Sequence, residues 1–216
     1  MRAVFSFIGL VMALVMAAPG VAEARWLRAE SERFILYSDG DERTLREYAI
    51  KLETFDRVLR TQFNLPVDAV PARKLPIYLV GRQSGIDRLR PGVDPRIAGL
   101  YMAQTDDIFA IAIRTRGEDH TLLHEYAHHF MMQNSTFNYP SWFIEGFAEY
   151  YMTAELQGNR VVLGKFTEGR TLWLTNGPAW LPLSELLTKS PYQVATKQET
   201  YYPLAWLVTH WFMSNP

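Results

Sequence analysis

The chain has 216 residues, of which 48% are hydrophobic and 21% are charged, the composition of a folded globular protein. Its formal net charge of −1 without a basic run gives no reason to propose a nucleic acid as a partner. Cysteine is absent, which excludes a thiolate nucleophile and sulfur ligands, so any bound metal would be held by histidine and carboxylate groups.

The first 24 residues have the organisation of a secretory signal peptide. Met1-Arg2 is a short positive start, Ala3 to Ala18 is apolar, and Ala22-Glu23-Ala24 has the small-x-small pattern of a cleavage site. We expect cleavage after Ala24, a secreted or periplasmic protein and no stable membrane span afterwards. The alternative is an uncleaved anchor, for which the apolar run is short.

Residues 25–216 are predicted to form one domain, and residues 25–115 to form its sheet-rich half. Asp39 or Asp41 can cap a long helix, in which apolar residues from Leu45 to Phe63 recur at helical spacing. The sequence predicts a twisted, mainly antiparallel sheet with this helix packed on it. The expected strands are Trp26–Ala29, Arg33–Ser38, Leu75–Val80 and a hairpin of Ala98–Gln104 with Ile108–Arg114 around Thr105-Asp106-Asp107.

The second half, residues 116–216, is predicted to be helical, with one small hairpin around Gly158-Asn159. The complete pattern favours an α+β fold. The expected helices are His120–Gln133, Pro140–Tyr151, Leu181–Leu187 and Tyr202–Met213.

Four of the five histidines lie within residues 120–129, and His124-Glu125-Tyr126-Ala127-His128 forms an H-E-x-x-H motif. On a helix, positions four apart project about 40° from each other, so His124 and His128 can bind one metal ion. Glu125 lies near them and can accept a proton from the attacking water. A solvated helix turn is the alternative, but the largely apolar neighbours disfavour it. The same geometry favours His129 as a packing or substrate-side residue.

A third ligand is available in the next helix, Trp142 to Glu149. Glu145 follows His128 at a distance that leaves room for one turn and an antiparallel return. Glu149 lies one helical turn further on the same face, where it can accept a hydrogen bond from a ligating histidine. Aromatic neighbours disfavour the alternative of an acidic pair on a solvated surface.

H-E-x-x-H followed by W-F-I-E-G-F-A-E resembles the gluzincin metallopeptidases, the superfamily of thermolysin and the zinc aminopeptidases. It is most similar to secreted bacterial gluzincin-like domains of unknown substrate. The resemblance spans roughly residues 98 to 213 and implies a zincin-like fold, one Zn²⁺ per chain and Glu145 as third ligand. The residue before Glu145 is Ile144, where the superfamily pattern has asparagine.

The resemblance also suggests an electrophile and limits the substrate class. Zinc aminopeptidases have a tyrosine at the start of a late apolar helix, which is similar to Tyr202 here, with Tyr201 as the adjacent alternative. An aromatic residue that only packs on the core is the other interpretation. Their G-x-M-E-N segment, which binds the substrate amine, has no Glu-Asn counterpart in Gly99 to Gln104. An endopeptidase or another amide hydrolase is therefore as well supported as an aminopeptidase.

The sequence thus predicts a secreted zinc metallohydrolase that cleaves a peptide or protein substrate. The alternative is a non-catalytic domain, with or without zinc, that binds an envelope partner. The last predicted helix carries aromatic residues on more than one face and is followed by Ser214-Asn215-Pro216, so we also expect a C-terminal extension or a partner that covers this helix.

Overall fold

The computed structural model describes residues 26–104, 107–115, 119–157, 160–176 and 179–215. The predicted signal peptide, the turn residues Thr105 and Asp106 and the turn residues Gly158 and Asn159 lie outside the described residues. Within the described part of the chain, no helix combines the length and the apolar character needed to cross a membrane.

The first half of the chain forms a five-stranded sheet in the order β1-β2-β3-β5-β4. All five predicted strands are confirmed, because each observed end lies within one residue of the expected end. The strands are β1 (Leu27–Glu30), β2 (Phe34–Ser38), β3 (Leu75–Val80), β4 (Gly99–Ala103) and β5 (Ile108–Ile113).

The expectation of a mainly antiparallel sheet is wrong, because the sheet is mixed. β1–β2 and β4–β5 are antiparallel, whereas β2–β3 and β3–β5 are parallel. A parallel pair needs a crossover connection, and the long helix α1 (Glu42–Gln62) provides it between β2 and β3. The same topology places β4 at one edge of the sheet.

Helix α1 has the predicted cap and packs on one face of the sheet. The Asp41 carboxylate accepts a hydrogen bond from the Thr44 backbone N–H at 2.8 Å, which satisfies one free donor of the first turn. Apolar side chains of α1, including Leu52 and Leu59, are fully buried in one core with inward-facing residues of β2, β3 and β5. A short helix that the sequence analysis did not predict, α2 (Gln83–Leu89), packs near the other face of the sheet.

The second half is helical, as predicted, so the α+β class is confirmed. Its small hairpin is also confirmed, with β6 (Glu155–Gln157) antiparallel to β7 (Arg160–Val162). One helix in this half, α5, was not predicted. The helices are α3 (His120–Asn134), α4 (Ser141–Tyr151), α5 (Glu168–Asn176), α6 (Leu183–Thr188) and α7 (Gln198–Ser214), with a 3₁₀ helix at Pro191–Lys197 before α7.

Helix α3 has a central place in the fold. It contacts β4 and β5 on one side and α4 on another, and α4 in turn packs against α7. A polar contact fixes α3 to α1, since the Tyr126 hydroxyl donates to the fully buried Asp56 carboxylate. Asp56 also accepts a hydrogen bond from Arg60 at 2.7 Å. The segment that carries H-E-x-x-H is thus anchored from both the sheet and α1.

Helix α7 is longer than predicted and begins at Gln198, so Tyr202 lies inside the helix and does not open it. Pro203 removes one backbone hydrogen bond without ending the helix. Trp211 and Phe212 near its end are 61% and 55% exposed. A C-terminal extension or a partner that covers them stays a prediction.

Candidate metal centre

The two motif histidines project side by side from α3. His124 Nε2 and His128 Nε2 are 3.1 Å apart, and both side chains are largely buried. Their burial follows from the sequence, because Leu123, Ala127 and Phe130 make most of the helix surface apolar and buried in the fold. His124 also lines a cleft, whereas His128 lies behind it.

Helix α4 directs Glu145 toward the same point. Glu145 Oε2 lies 3.3 Å from His124 Nε2 and 3.5 Å from His128 Nε2. This buried oxygen has no partner with hydrogen-bond geometry among the described residues. One ligand atom from each of the three side chains lies within 4.8 Å of the other two, as a metal site requires.

These separations fit a tetrahedral zinc ion. Bonds of about 2.0–2.1 Å to nitrogen and oxygen at tetrahedral angles place ligand atoms about 3.3 Å apart. The observed separations of 3.1, 3.3 and 3.5 Å bracket this value. Two imidazoles and one carboxylate also form the ligand set of a zinc site that keeps one position for water or substrate.

Gly146, the residue after Glu145, lets α4 approach α7 closely. A Cβ atom at this position would lie 2.1 Å from Thr209 Oγ1 and 2.4 Å from the Ala205 backbone oxygen. A real Cβ does not tolerate such distances, so any larger residue must push the two helices apart. The glycine therefore fixes the depth at which Glu145 enters the site.

Glu149 lies one turn after Glu145 and is 1% exposed. Its Oε1 is 3.4 Å from His124 Nδ1, the ring nitrogen that faces away from Glu145. Arg170 of α5 binds the same carboxylate through two hydrogen bonds, Nε to Oε2 at 2.9 Å and Nη2 to Oε1 at 2.7 Å. A carboxylate with such partners is well suited to orient the imidazole.

Arg170 was not predicted as a site residue from the sequence. It lies in a helix without a clear apolar stripe, and its partner is 21 residues earlier in the chain. A buried Glu149 does need a cation or a hydrogen-bond donor, which is a signal that a compensating group exists. The sequence does not tell which arginine or lysine provides it.

Glu125 lies beside the histidines and is 9% exposed. Strand β4 passes close to it, since a Cβ atom at Gly99 would lie 3.1 Å from Glu125 Cγ. Burial raises the pKa of Glu125 above its ordinary value, although the charges of His124 and His128 oppose the shift. The carboxylate is therefore held between the histidine pair and the edge strand.

The centre as a whole attracts positive charge. Burial lowers the pKa of His124, but its contacts with Glu145 and Glu149 outweigh burial and raise that pKa to about 10. Burial likewise raises the pKa of Glu149, but His124 and Arg170 outweigh it and lower that pKa to about 2. With neutral imidazoles, the three carboxylates and the single guanidinium carry a formal charge of −2, which one divalent cation would neutralise.

Tyr202 reaches the centre from α7. Its ring centroid is 6.4 Å from that of His124, and the Arg170 guanidinium lies 5.0 Å from the Tyr202 ring centroid. Tyr201, the alternative considered above, is fully buried and its hydroxyl donates to the Lys189 carbonyl at 2.8 Å. The geometry therefore places Tyr202, and not Tyr201, at the cleft.

The other motif-region histidines lie away from the three ligand atoms. His129 Nδ1 is 3.0 Å from the Tyr101 hydroxyl, and burial lowers its pKa to about 4. This neutral, half-buried ring fits packing, one of the two roles expected for His129. His120 is the first residue of α3 and is half-buried at the cleft.

The candidate metal centre opens through His124, Glu125 and Glu149 into a cleft of about 2010 Å³. Comparison of the chain with profiles of known protein families finds no match, and no curated protein matches it significantly. The interpretation of the centre therefore rests on its geometry and chemistry.

Gly146→Ala tests the close helix contact. We expect the free energy of unfolding to fall by about 1–3 kcal/mol, because the Ala205 carbonyl is backbone and cannot turn away. Urea unfolding of the metal-free protein measures the change without a contribution from ligand binding.

Gly169→Ala is the matched control, since a Cβ at Gly169 of α5 would meet nothing within 4 Å. Its stability should be unchanged or slightly raised, because alanine favours helix over glycine. Equal stability of Gly146→Ala and the parent protein would show that α4 and α7 are not in close contact at this position.

Proposed function

We propose that the protein is a zinc-dependent metallohydrolase that cleaves peptide bonds, with a zincin-like arrangement of α3, α4 and the mixed sheet. The observation that carries the proposal is the convergence of His124, His128 and Glu145 on one point, with Glu125 beside it in an open cleft. The nitrogen and oxygen ligand set suits zinc better than calcium or magnesium. The proposed location outside the cytoplasm rests on the sequence of residues 1–24 alone.

Zinc in this position would polarise a substrate carbonyl and lower the pKa of a water molecule. Glu125 is the group that accepts the proton of the attacking water, because it adjoins the two histidines without taking part in the three-ligand cluster. Its raised pKa suits a group that first takes a proton and then transfers it to the leaving amine.

Tyr202 is proposed as the donor to the substrate carbonyl oxygen as negative charge develops there. Burial is the main reason that its pKa lies well above the ordinary value, so the hydroxyl keeps its proton at neutral pH. Arg170 packs over the ring and restricts its position. The same arginine orients Glu149, so one side chain supports both the histidine ligand and the electrophile.

Strand β4 supports a polypeptide as the substrate. The Ala98 carbonyl accepts a hydrogen bond from the Ile113 N–H at 2.8 Å, and Gln104 and Asp107 form two backbone hydrogen bonds with each other. Hydrogen-bonded residues alternate along an antiparallel pair, so the backbone groups of Leu100 and Met102 point toward β5. The backbone groups of Gly99, Tyr101 and Ala103 then point to the open edge, where no described strand pairs with them. An extended peptide can bind such an edge by adding a strand beside Glu125.

The first prediction of this proposal concerns the metal. Purified protein should contain about one zinc per chain by elemental analysis. Glu145→Gln should lose it, because an amide oxygen carries no charge to balance the cation. Glu149→Gln should weaken affinity by roughly 10–100-fold in a competition with a chelator.

Glu47→Gln is the matched control, because Glu47 lines the same cleft but lies on α1 and is exposed. It should bind zinc like the parent. Full zinc retention in Glu145→Gln would refute the ligand assignment.

The second prediction concerns the base. Glu125→Gln keeps the shape of the side chain but removes its basicity, so kcat should fall by about 10²–10⁴-fold on any peptide that the parent cleaves. Zinc content should be unchanged. Glu199→Gln, which alters an exposed carboxylate of the same cleft, should keep parental activity. Parental turnover by zinc-loaded Glu125→Gln would rule out this role.

The third prediction separates the two tyrosines. Tyr202→Phe should lower kcat by about 10²–10³-fold with little change in KM, because its hydroxyl acts only as charge develops. Tyr201→Phe should instead lower the free energy of unfolding by about 1 kcal/mol, since it loses the bond to Lys189. If Tyr202→Phe loses stability but keeps kcat, the tyrosine only packs on the core.

A further inference from the structure

The cleft extends past the metal centre between α1 and the segment that contains β6, β7 and α5. Large apolar side chains line this part of the cleft and are unusually exposed. We call them the apolar wall: Ile50 (62% exposed), Leu156 (53%), Val161 (41%), Phe166 (64%) and Trp173 (38%).

The apolar wall does not stabilise the fold in the way that such side chains usually do. None of the nine described residues of α5 is buried, and every described residue of β6 and β7 is exposed or half-buried. Exposed apolar area of this kind is unfavourable in water, and its concentration along one cleft indicates a binding site. The wall lies in the same cleft as His124 and Glu125, which connects it to the chemistry.

The size of the cleft indicates the kind of ligand. Pockets for small molecules measure about 300–1,000 Å³, whereas this cleft measures about 2010 Å³ and is open. The edge of β4 that no described strand pairs with reaches the same cleft through Gly99 and can present backbone hydrogen-bonding groups to an extended chain. One extended polypeptide can form main-chain hydrogen bonds with β4 and place its apolar side chains against the wall.

We propose that the apolar wall binds large aliphatic or aromatic side chains of an extended polypeptide and thereby sets the cleavage specificity. This inference rests on the proposed function, since it assigns a substrate class to the same cleft. Folded proteins bury such side chains together with the peptide bonds beside them. The substrate class is therefore unfolded or flexible polypeptide that exposes apolar residues.

A capped peptide series tests this specificity. Each peptide has one Gly/Ser-rich sequence with blocked termini and a single Phe, Leu, Ala or Glu at successive positions. The zinc-loaded protein should cleave the best Phe or Leu peptide with a kcat/KM at least about tenfold above that of the matching Ala peptide. Trp173→Ala and Phe166→Ala should each remove most of that preference, measured as the ratio of kcat/KM for the Phe and Ala peptides within one variant, which cancels any general loss of activity.

Trp211→Ala is the matched control, because Trp211 is also an exposed tryptophan but is not among the described residues that line the cleft. It should keep the preference. Equal cleavage of Phe and Ala peptides, or a preference that survives in both wall variants, would overturn the inference and leave the proposed function intact.

Binding to zinc-loaded Glu125→Gln separates failure of the inference from failure of the proposed function. Calorimetry with the Phe peptide should give a negative heat-capacity change that is lost when Trp173→Ala is added. If no peptide is cleaved by the parent but this binding is found, the wall is supported and the proposed activity is wrong. If the Phe and Ala peptides bind equally or neither binds, the apolar wall does not recognise apolar side chains.

Discussion

Burial of charge at the junction of α3 and α4 is the constraint on which the rest of the structure depends. Glu125, Glu145 and Glu149 are carboxylates in a largely apolar setting, and carboxylates withdrawn from water are unfavourable without a partner. Arg170 compensates only one of them directly. The Glu145 carboxylate meets the imidazoles of His124 and His128, an arrangement in which one divalent cation would satisfy all three groups.

This constraint explains features that otherwise look unrelated. The two helices must approach closely enough to bring Glu145 to the histidine pair, and Gly146 allows α7 to press α4 into that position. Helix α3 must not rotate, and the bond from Tyr126 to the buried Asp56 carboxylate fixes it on the side opposite the centre. Packing and polar contacts thus hold the proposed ligands from different helices in one geometry, which would lower the cost of binding an ion there.

The parts of the fold and site that could be predicted from sequence depend on local pattern. Strand β3 is an apolar run, α1 has an apolar stripe, and His124 and His128 have a fixed spacing on one helix. Parallel pairing of β2 with β3 could not be predicted in this way, because it depends on where the crossover helix returns the chain. Arg170 was missed for a similar reason, since only the tertiary fold decides which cation meets Glu149.

Helix α5 shows how the centre and the cleft wall depend on each other. None of its described residues is buried, so apolar packing holds it weakly. Its attachments to the rest of the fold include the packing of Leu174 beside the small core around α7 and the bond from Arg170 to Glu149. The second attachment ends at His124, because the same Glu149 carboxylate contacts its Nδ1. The helix that carries Trp173 of the apolar wall is therefore oriented by the charges that also orient His124, so the proposed substrate-binding surface and the candidate metal centre are physically connected.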